Sequence, residues 1–409
     1  MKELGFENLV FGKQDAHQLL QQYGSPLYVY DEEILRLRCR EMRNLLSYPR
    51  FRVNYSAKAN TNVGLLKIIA SEDLDVDGMS PGEMHLELMA GFLPHRITFI
   101  GNNVSVDEFR YAVERGILVS VDSISQLKTL GPVNRGGPVC LRINPGIGAG
   151  HHEKVVTGGK EVKFGIATED LPWAQDIAAQ YQMTITGLNQ HIGSLFLEPD
   201  AYVDAAAFIL QTAASLPTVE MVDLGGGFGI PYRHGVEPRL DLTELGTRLD
   251  TLINEWVERN RPLTIRTEPG RYVVAECGAL LGTVTAVKEN DNTVFVGTDI
   301  GFNTLVRPAM YDSYHEIDVA PGTERPYEEY RQPVYVVGNI CESGDILVHD
   351  RVIPRCKEGD ALIVHDAGAY GFSMASTYNS RPLPAEVLIT SEGNVRLLRR
   401  AQTLEDLWW

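Results

Sequence analysis

Lys58 stands in Tyr55-Ser56-Ala57-Lys58-Ala59-Asn60, directly after the apolar run Phe51–Tyr55. An amine at the end of a buried strand is partly desolvated, which lowers its pKa and frees it for imine formation. A solvated lysine at a strand end is the plainer reading of the same residue. Three further segments bear on the choice. Asp223-Leu224-Gly225-Gly226-Gly227-Phe228-Gly229 offers backbone amides with no side chains in the way, suited to a phosphate or simply to a tight strand-to-helix turn. Glu268-Pro269-Gly270-Arg271 sets an acid three residues before a base. A carboxylate held against a ring nitrogen keeps that nitrogen protonated, whereas a surface ion pair would contribute little. His191-Ile192-Gly193-Ser194 ends another apolar run, where an imidazole can stack on a flat group and a hydroxyl can bind phosphate. A structural histidine would read the same way.

These residues need elements to hold them at one place. Eight short apolar or β-branched runs predict strands at Phe51–Tyr55, Leu74–Asp77, Ile97–Ile100, Ile117–Val121, Val139–Ile143, Ile185–His191, Val219–Leu224 and Leu263–Arg266. Helical segments alternate with them. Eight strand-helix units between residues 31 and 270 predict a (β/α)8 barrel, with a doubly wound open sheet as the alternative. Barrel enzymes keep their chemistry at the C-terminal ends of the strands, where Lys58, Asp77, His191, Gly226, Gly227 and Glu268 fall. The first helix is expected after Asp31 as its cap, with Ile34, Leu35, Met42, Leu45 and Leu46 on one face. From 271 to 409 the helical rhythm fades into a mostly β domain. Glu289-Asn290-Asp291-Asn292 between Gly282–Val287 and Thr293–Thr298 is a hairpin signal. More strands are expected at Pro333–Val337, Asp345–Val352, Ala361–Val364, Ala385–Ile389 and Val395–Arg399. Residues 1–30 are expected to pack on this domain through a strand at Pro26–Tyr30.

A net charge of -17 argues against nucleic acid and anionic membrane as partners. The sequence holds no apolar run of membrane-spanning length and opens with nothing like a signal peptide, so a cytoplasmic location is expected. Five scattered cysteines (39, 140, 277, 341 and 356) suit reduced thiols in that compartment. None has metal-ligand spacing, and adjacent His151 and His152 read as part of a glycine-rich loop over 144–163, so no metal is expected.

The segments YSAKAN, HIGS, DLGGGFGIPY, EPGR, CESGD and DAGAYGFSMASTYNSRPLPAEVL, in this order, resemble the fold-type III decarboxylases that use pyridoxal 5'-phosphate. Among these the chain is most similar to the diaminopimelate decarboxylase family, nearly end to end. The resemblance implies an alanine-racemase-like barrel with a C-terminal β domain, working as a homodimer with shared active sites. It implies that Lys58 holds the cofactor as a Schiff base, with Asp77 nearby and His191 stacked on the ring. Ser194, Gly226 and Gly227 would hold the phosphate, and Glu268 would face the pyridine nitrogen. Gly270 belongs to the same turn, Arg271 would touch phosphate or substrate, and Tyr370 would contact the cofactor. Cys341 and Glu342 would come from the neighbouring subunit, Cys341 as proton donor. A thiol can give up a proton where cationic or dipolar neighbours ease it, though a small buried hydrophobe is the usual fate of a cysteine.

Substrate class turns on Arg307-Pro308-Ala309-Met310-Tyr311, which resembles the family's segment for a distal carboxylate. A guanidinium fork with a phenol suits that group, and Glu342 would meet the distal ammonium. The expected reaction is decarboxylation of meso-diaminopimelate to L-lysine. A relative acting on D-lysine, ornithine or a carboxynorspermidine-like amino acid is the alternative, then a racemase or a non-catalytic binding protein. Three departures from the family stand out: Asn189 where a histidine is usual, Leu195 after HIGS, and Ser80-Pro81-Gly82-Glu83 for Ser-Gly-Gly-Glu.

Overall fold

In the computed structural model, which describes residues 10–11, 14–146, 163–322 and 331–408, the chain opens with a two-strand ladder. Its strands are β1 (Val10–Phe11) and β2 (Gln14–Asp15), followed by α1 (Ala16–Tyr23), β3 (Leu27–Asp31) and α2 (Glu32–Arg43). Asp31 starts α2 as expected, its Oδ1 accepting the Ile34 amide at 3.0 Å. The chain then divides into two units. One is Arg36–Ile230 with Pro238–Val273; the other is Met1–Leu35 with Pro231–Glu237 and Val274–Trp409.

The first unit is a closed barrel of eight parallel strands: β4 (Phe51–Ser56), β5 (Asp75–Gly78), β6 (Ile97–Phe99), β7 (Leu118–Val121), β8 (Pro138–Arg142), β9 (Thr184–Asn189), β10 (Met221–Asp223) and β11 (Thr264–Thr267). They run in chain order, and β11 pairs with β4 through Ile265 and Phe51 to close the ring. Closure excludes the open sheet. Most strand residues are buried, so their signal is a short apolar run rather than an alternation. The β9 strand stops at Asn189, short of the expected end, so His191 sits in the loop beyond it. The helices α3 (Val63–Ser71) and α4 (Pro81–Ala90) follow β4 and β5. Ser80 caps α4 by accepting the Glu83 amide at 3.2 Å, with Pro81 in the first turn. That makes the Ser80-Pro81 departure a sound helix start.

Near the opposite ends of these strands, buried Asp75 of β5 binds Arg52 of β4 at 2.6 Å and Arg96 at 2.8 Å. Burial pushes the Asp75 carboxyl up, but the hydrogen bonds from Arg52 and Arg96 outweigh it and hold it below its ordinary value.

The second unit is built on strands. It contains β12 (Gly278–Asn290), β13 (Thr293–Thr298), β14 (Ile317–Ala320), β15 (Arg331–Val337), β16 (Ile346–Pro354), β17 (Ala361–Val364), β18 (Ala385–Ile389) and β19 (Val395–Arg399). The sheet order is β16-β15-β13-β12-β3-β18-β19, with β17 joining β12 to β14. The hairpin turns on Asp291 and Asn292, both at positive φ, as a two-residue connection demands. The N-terminal strand β3 lies inside this sheet, antiparallel to β12 and parallel to β18. Leu27, Val29, Leu281, Ile363 and Val387 share its core. Several of its elements were not expected: the β1–β2 ladder, the helix α1, which precedes the one read as the first, β14, and a short helix at Arg307–Tyr311.

Candidate active site

Lys58 sits in a single turn of 3-10 helix, Ala57–Ala59, at the C-terminal end of β4. The turn is pinned from several sides. Ser56 donates its amide to the Pro269 carbonyl at 3.1 Å, and the Tyr55 hydroxyl donates to the Asn60 carbonyl at 2.9 Å. A Cβ on Gly270 would lie 3.1 Å from both the Ser56 and the Ala59 side chains. The Pro269-Gly270 backbone therefore lies directly beside the lysine turn.

The glycines after β10 serve close packing first. A Cβ on Gly226 would come 2.0 Å from the Glu268 carbonyl, and Gly225 and Gly227 have φ of +82° and +106°. The Leu224 amide donates to the Arg266 carbonyl and the Glu268 amide to the Gly225 carbonyl, which locks the ends of β10 and β11 together. The Gly226 amide, expected among the phosphate donors, donates instead to His191 Nδ1 at 3.1 Å. The shortened β9 explains this, because its loop folds back over the glycines, with Leu195 at φ +66°. Arg271 donates through Nη2 to Ser194 Oγ at 2.9 Å. Lys58, Asp77, His191, Ser194, Gly226, Gly227, Glu268, Gly270 and Arg271 are thus gathered at the C-terminal ends of the barrel strands.

The electrostatics of this cluster are uneven. Asp77 is fully buried; Ser56 Oγ donates to its Oδ2 at 3.2 Å, and Oδ1 has no hydrogen-bond partner. Burial pushes it up to about 8, although Lys58 pulls the other way. Glu268 is buried with Oε1 unpartnered, and burial followed by the charges of Asp223 and Asp77 raises it well above the carboxylate range. Burial, then Lys58 and Arg142, push His191 well below its ordinary value. With Nδ1 accepting from Gly226, the imidazole is neutral and carries its proton on Nε2.

Several interior residues escaped the sequence reading. Arg142 at the end of β8 is a buried cation that acts on Glu268 and Asp77. Asp223, quoted only as part of a glycine motif, is buried and raised to about 6. Asn54 donates to it at 3.5 Å, while Asn189, which stands where the family usually has a histidine, accepts from Ser120 at 2.7 Å. Their signal was a polar residue inside an apolar strand run, as in Arg52-Val53-Asn54-Tyr55 and Cys140-Leu141-Arg142. Glu87 on α4 is buried with both carboxyl oxygens unpartnered.

Arg307, Tyr311, Cys341, Glu342 and Tyr370 belong to the other unit. Arg307 is 2% exposed; its Nη1 bonds His315 Nε2 at 2.8 Å, and the guanidinium lies over Tyr232 at 4.7 Å. Tyr311 ends the same short helix, half-buried. Cys341 and Glu342 are exposed on a turn held by Asp345, which accepts the Ile340 amide at 2.7 Å and the Phe302 amide at 2.6 Å. Glu342 accepts from the Tyr378 hydroxyl at 2.5 Å, and Tyr370 has a φ of +57°. The paired histidines 151 and 152 and most of the 144–163 loop lie outside the described residues. Among the described residues, no group of three or more His, Cys, Asp or Glu is placed to hold a metal. No helix among them is long and apolar enough to cross a membrane.

Residues 32–275 match the pyridoxal binding domain of the pyridoxal-dependent decarboxylases. The diaminopimelate decarboxylase of Methanothermobacter thermautotrophicus is 42% identical over 98% of this chain and 94% of its own length. The chain belongs to the diaminopimelate decarboxylase family. The Escherichia coli K12 member is 36% identical over 95% of this chain and 94% of its own. A crystal structure of the Helicobacter pylori member complexed with L-lysine superposes with a TM-score of 0.88 at 32% identity, covering 96% of this chain and 98% of that one.

Proposed function

We propose that this chain is a pyridoxal 5'-phosphate enzyme that decarboxylates meso-diaminopimelate to L-lysine and carbon dioxide. The observation that carries the reading is that one barrel mouth holds both Lys58 and a buried Glu268 whose Oε1 has no hydrogen-bond partner. The residues fit the cofactor. Glu268 Oε1 is a dry acceptor suited to a protonated ring nitrogen, and the neutral His191 ring offers a flat face. Ser194, Gly227 and Arg271 would hold the phosphate, with the Gly226 amide joining them only if it leaves His191. When bound, the cofactor would supply the electron sink for the pair left on the substrate carbon as carbon dioxide departs.

The chain's own groups do the rest. Lys58 would anchor the cofactor through Nζ and take part in proton transfer beside Asp77. Glu268 favours a protonated nitrogen opposite it. Arg307 and Tyr311 would bind the distal carboxylate, and Glu342 the distal ammonium. Cys341 would deliver a proton from Sγ to the substrate carbon that has lost its carboxylate. Tyr370 would close on the cofactor. We assign Cys341 and Glu342 to the barrel of a neighbouring subunit, so that a homodimer shares its sites, in a cytoplasm that keeps the five thiols reduced.

Carbon dioxide release from meso-diaminopimelate, D-lysine, D- and L-ornithine and L-arginine tests the reading. Release from meso-diaminopimelate at a kcat/KM at least about a hundredfold above the others is expected. A preference for ornithine or arginine would overturn it.

A further inference from the structure

The Arg307 guanidinium is held by a neighbour with an unusually well-defined protonation state. His315 is 2% exposed, and both of its ring nitrogens are engaged. Nδ1 meets the His365 carbonyl at 2.8 Å, and Nε2 meets Arg307 Nη1 at 2.8 Å. A carbonyl can only accept and a guanidinium can only donate. The proton therefore sits on Nδ1, and the Nε2 lone pair receives Arg307. The ring is fixed in turn by the sheet, since the His365 amide donates to the Glu316 carbonyl at 2.9 Å where β14 meets β17. Tyr232 completes the frame. Its ring lies under the guanidinium and meets His315 edge-on, with centroids 5.4 Å apart at 74°. Ser313 Oγ accepts from Nη2 at 3.4 Å.

A carboxylate in the place of His315 would orient the guanidinium and also cancel its charge. A neutral imidazole orients it and leaves the charge intact. His315 takes one N–H group of the guanidinium and Ser313 another, and these two bonds set its plane.

We propose that His315 is a positioning residue for substrate selection, fixing Arg307 so that it engages amino acids bearing a second, distal carboxylate. This rests on the assignment of Arg307 made above. L-Lysine keeps that carboxylate, and cadaverine lacks it. The test is calorimetric binding of both to the cofactor-loaded protein and to its His315→Leu, His315→Gln and Arg307→Met variants. His315→Leu should weaken L-lysine about tenfold or more while leaving cadaverine unchanged. His315→Gln, which restores an acceptor for Nη1, should recover most of that loss. In turnover, the loss should appear in KM for meso-diaminopimelate rather than in kcat. If His315→Leu does not fold, His315→Asn replaces it, keeping a donor for the His365 carbonyl but falling short of Arg307. L-Lysine binding within about twofold of wild type in that variant, or in His315→Leu, overturns the proposal. If Arg307→Met still weakens L-lysine, the Arg307 assignment survives that failure; if it does not, the assignment itself has failed.

Discussion

The Gly226 amide donates to Nδ1 of His191 at 3.1 Å, and this bond decides which ring nitrogen carries the proton. Burial and the nearby Lys58 and Arg142 charges push the imidazole far below its usual range. It should stay neutral, protonated on Nε2, at pH values where an ordinary histidine is half charged. Nitrogen NMR of histidine-labelled protein would reveal this, and a titration of His191 near its reference value would contradict it. His191→Ala should loosen the cofactor by about tenfold through the lost ring contact, as read from cofactor release on dilution.

Lys58→Ala should lose the visible absorption band of the cofactor-loaded protein and at least about a thousandfold in rate. Mixing it with Cys341→Ala after subunit exchange should restore about a quarter of wild-type activity, since one site in each mixed dimer is intact. Confirmed mixed dimers without activity would refute shared sites.

Asp75→Asn should destabilise the protein by about 1–3 kcal/mol, because Arg52 and Arg96, both partly solvated, lose a buried charged partner and keep Asp73 as their ion-pair partner. The folded-state value of Asp75 lies below its unfolded one, so this contribution is present above the unfolded value and fades as pH falls through the folded value. Urea unfolding across the acid range would measure it; a variant as stable as wild type at pH 7 would remove the barrel-end network from the account of stability.

Glu87 has the opposite sign. Burial, then the charges of Asp77 and Glu83, push it up to about 9. Folding therefore holds a proton that the unfolded chain releases, and stability falls as pH rises from the unfolded value toward 9. Glu87→Gln should be more stable than wild type by about 3 kcal/mol at pH 7, with the gap closing below pH 4. Equal denaturant midpoints at pH 7 would show that Glu87 is ionised in the folded protein. The carboxyl fits only because residue 78 is glycine, where a Cβ would meet Oε1 at 2.8 Å.

The barrel was legible because buried parallel strands leave short apolar runs, and their ends name the residues that meet. The Asn290–Thr293 hairpin was legible because asparagine and aspartate tolerate positive φ. Arg142, Asp223 and Asn54 were not legible. A charge in an apolar strand gives no sign of whether it faces water or a closed interior until the ring is formed. The helix at Arg307–Tyr311 was hidden by its five residues, less than two turns. His191 was placed on a strand because the run opened by Ile185 was extended through Leu188 to the histidine, although the backbone turns away after Asn189. The His315 frame was invisible because His365 and Tyr232, which fix it, are distant in sequence.

The position of β3 also bears on synthesis at the ribosome. Its residues, Leu-Tyr-Val-Tyr-Asp, emerge well before either neighbour, one of which begins at Gly278 and the other at Ala385. At about 5–20 residues per second, an apolar strand waits on the order of half a minute for its second partner. Until β12 emerges both of its edges are unpaired, and one stays so until β18 arrives, the condition in which a nascent strand adds to a foreign sheet. The order of translation thus makes β3 a segment that a chaperone would have to shield until β18 emerges.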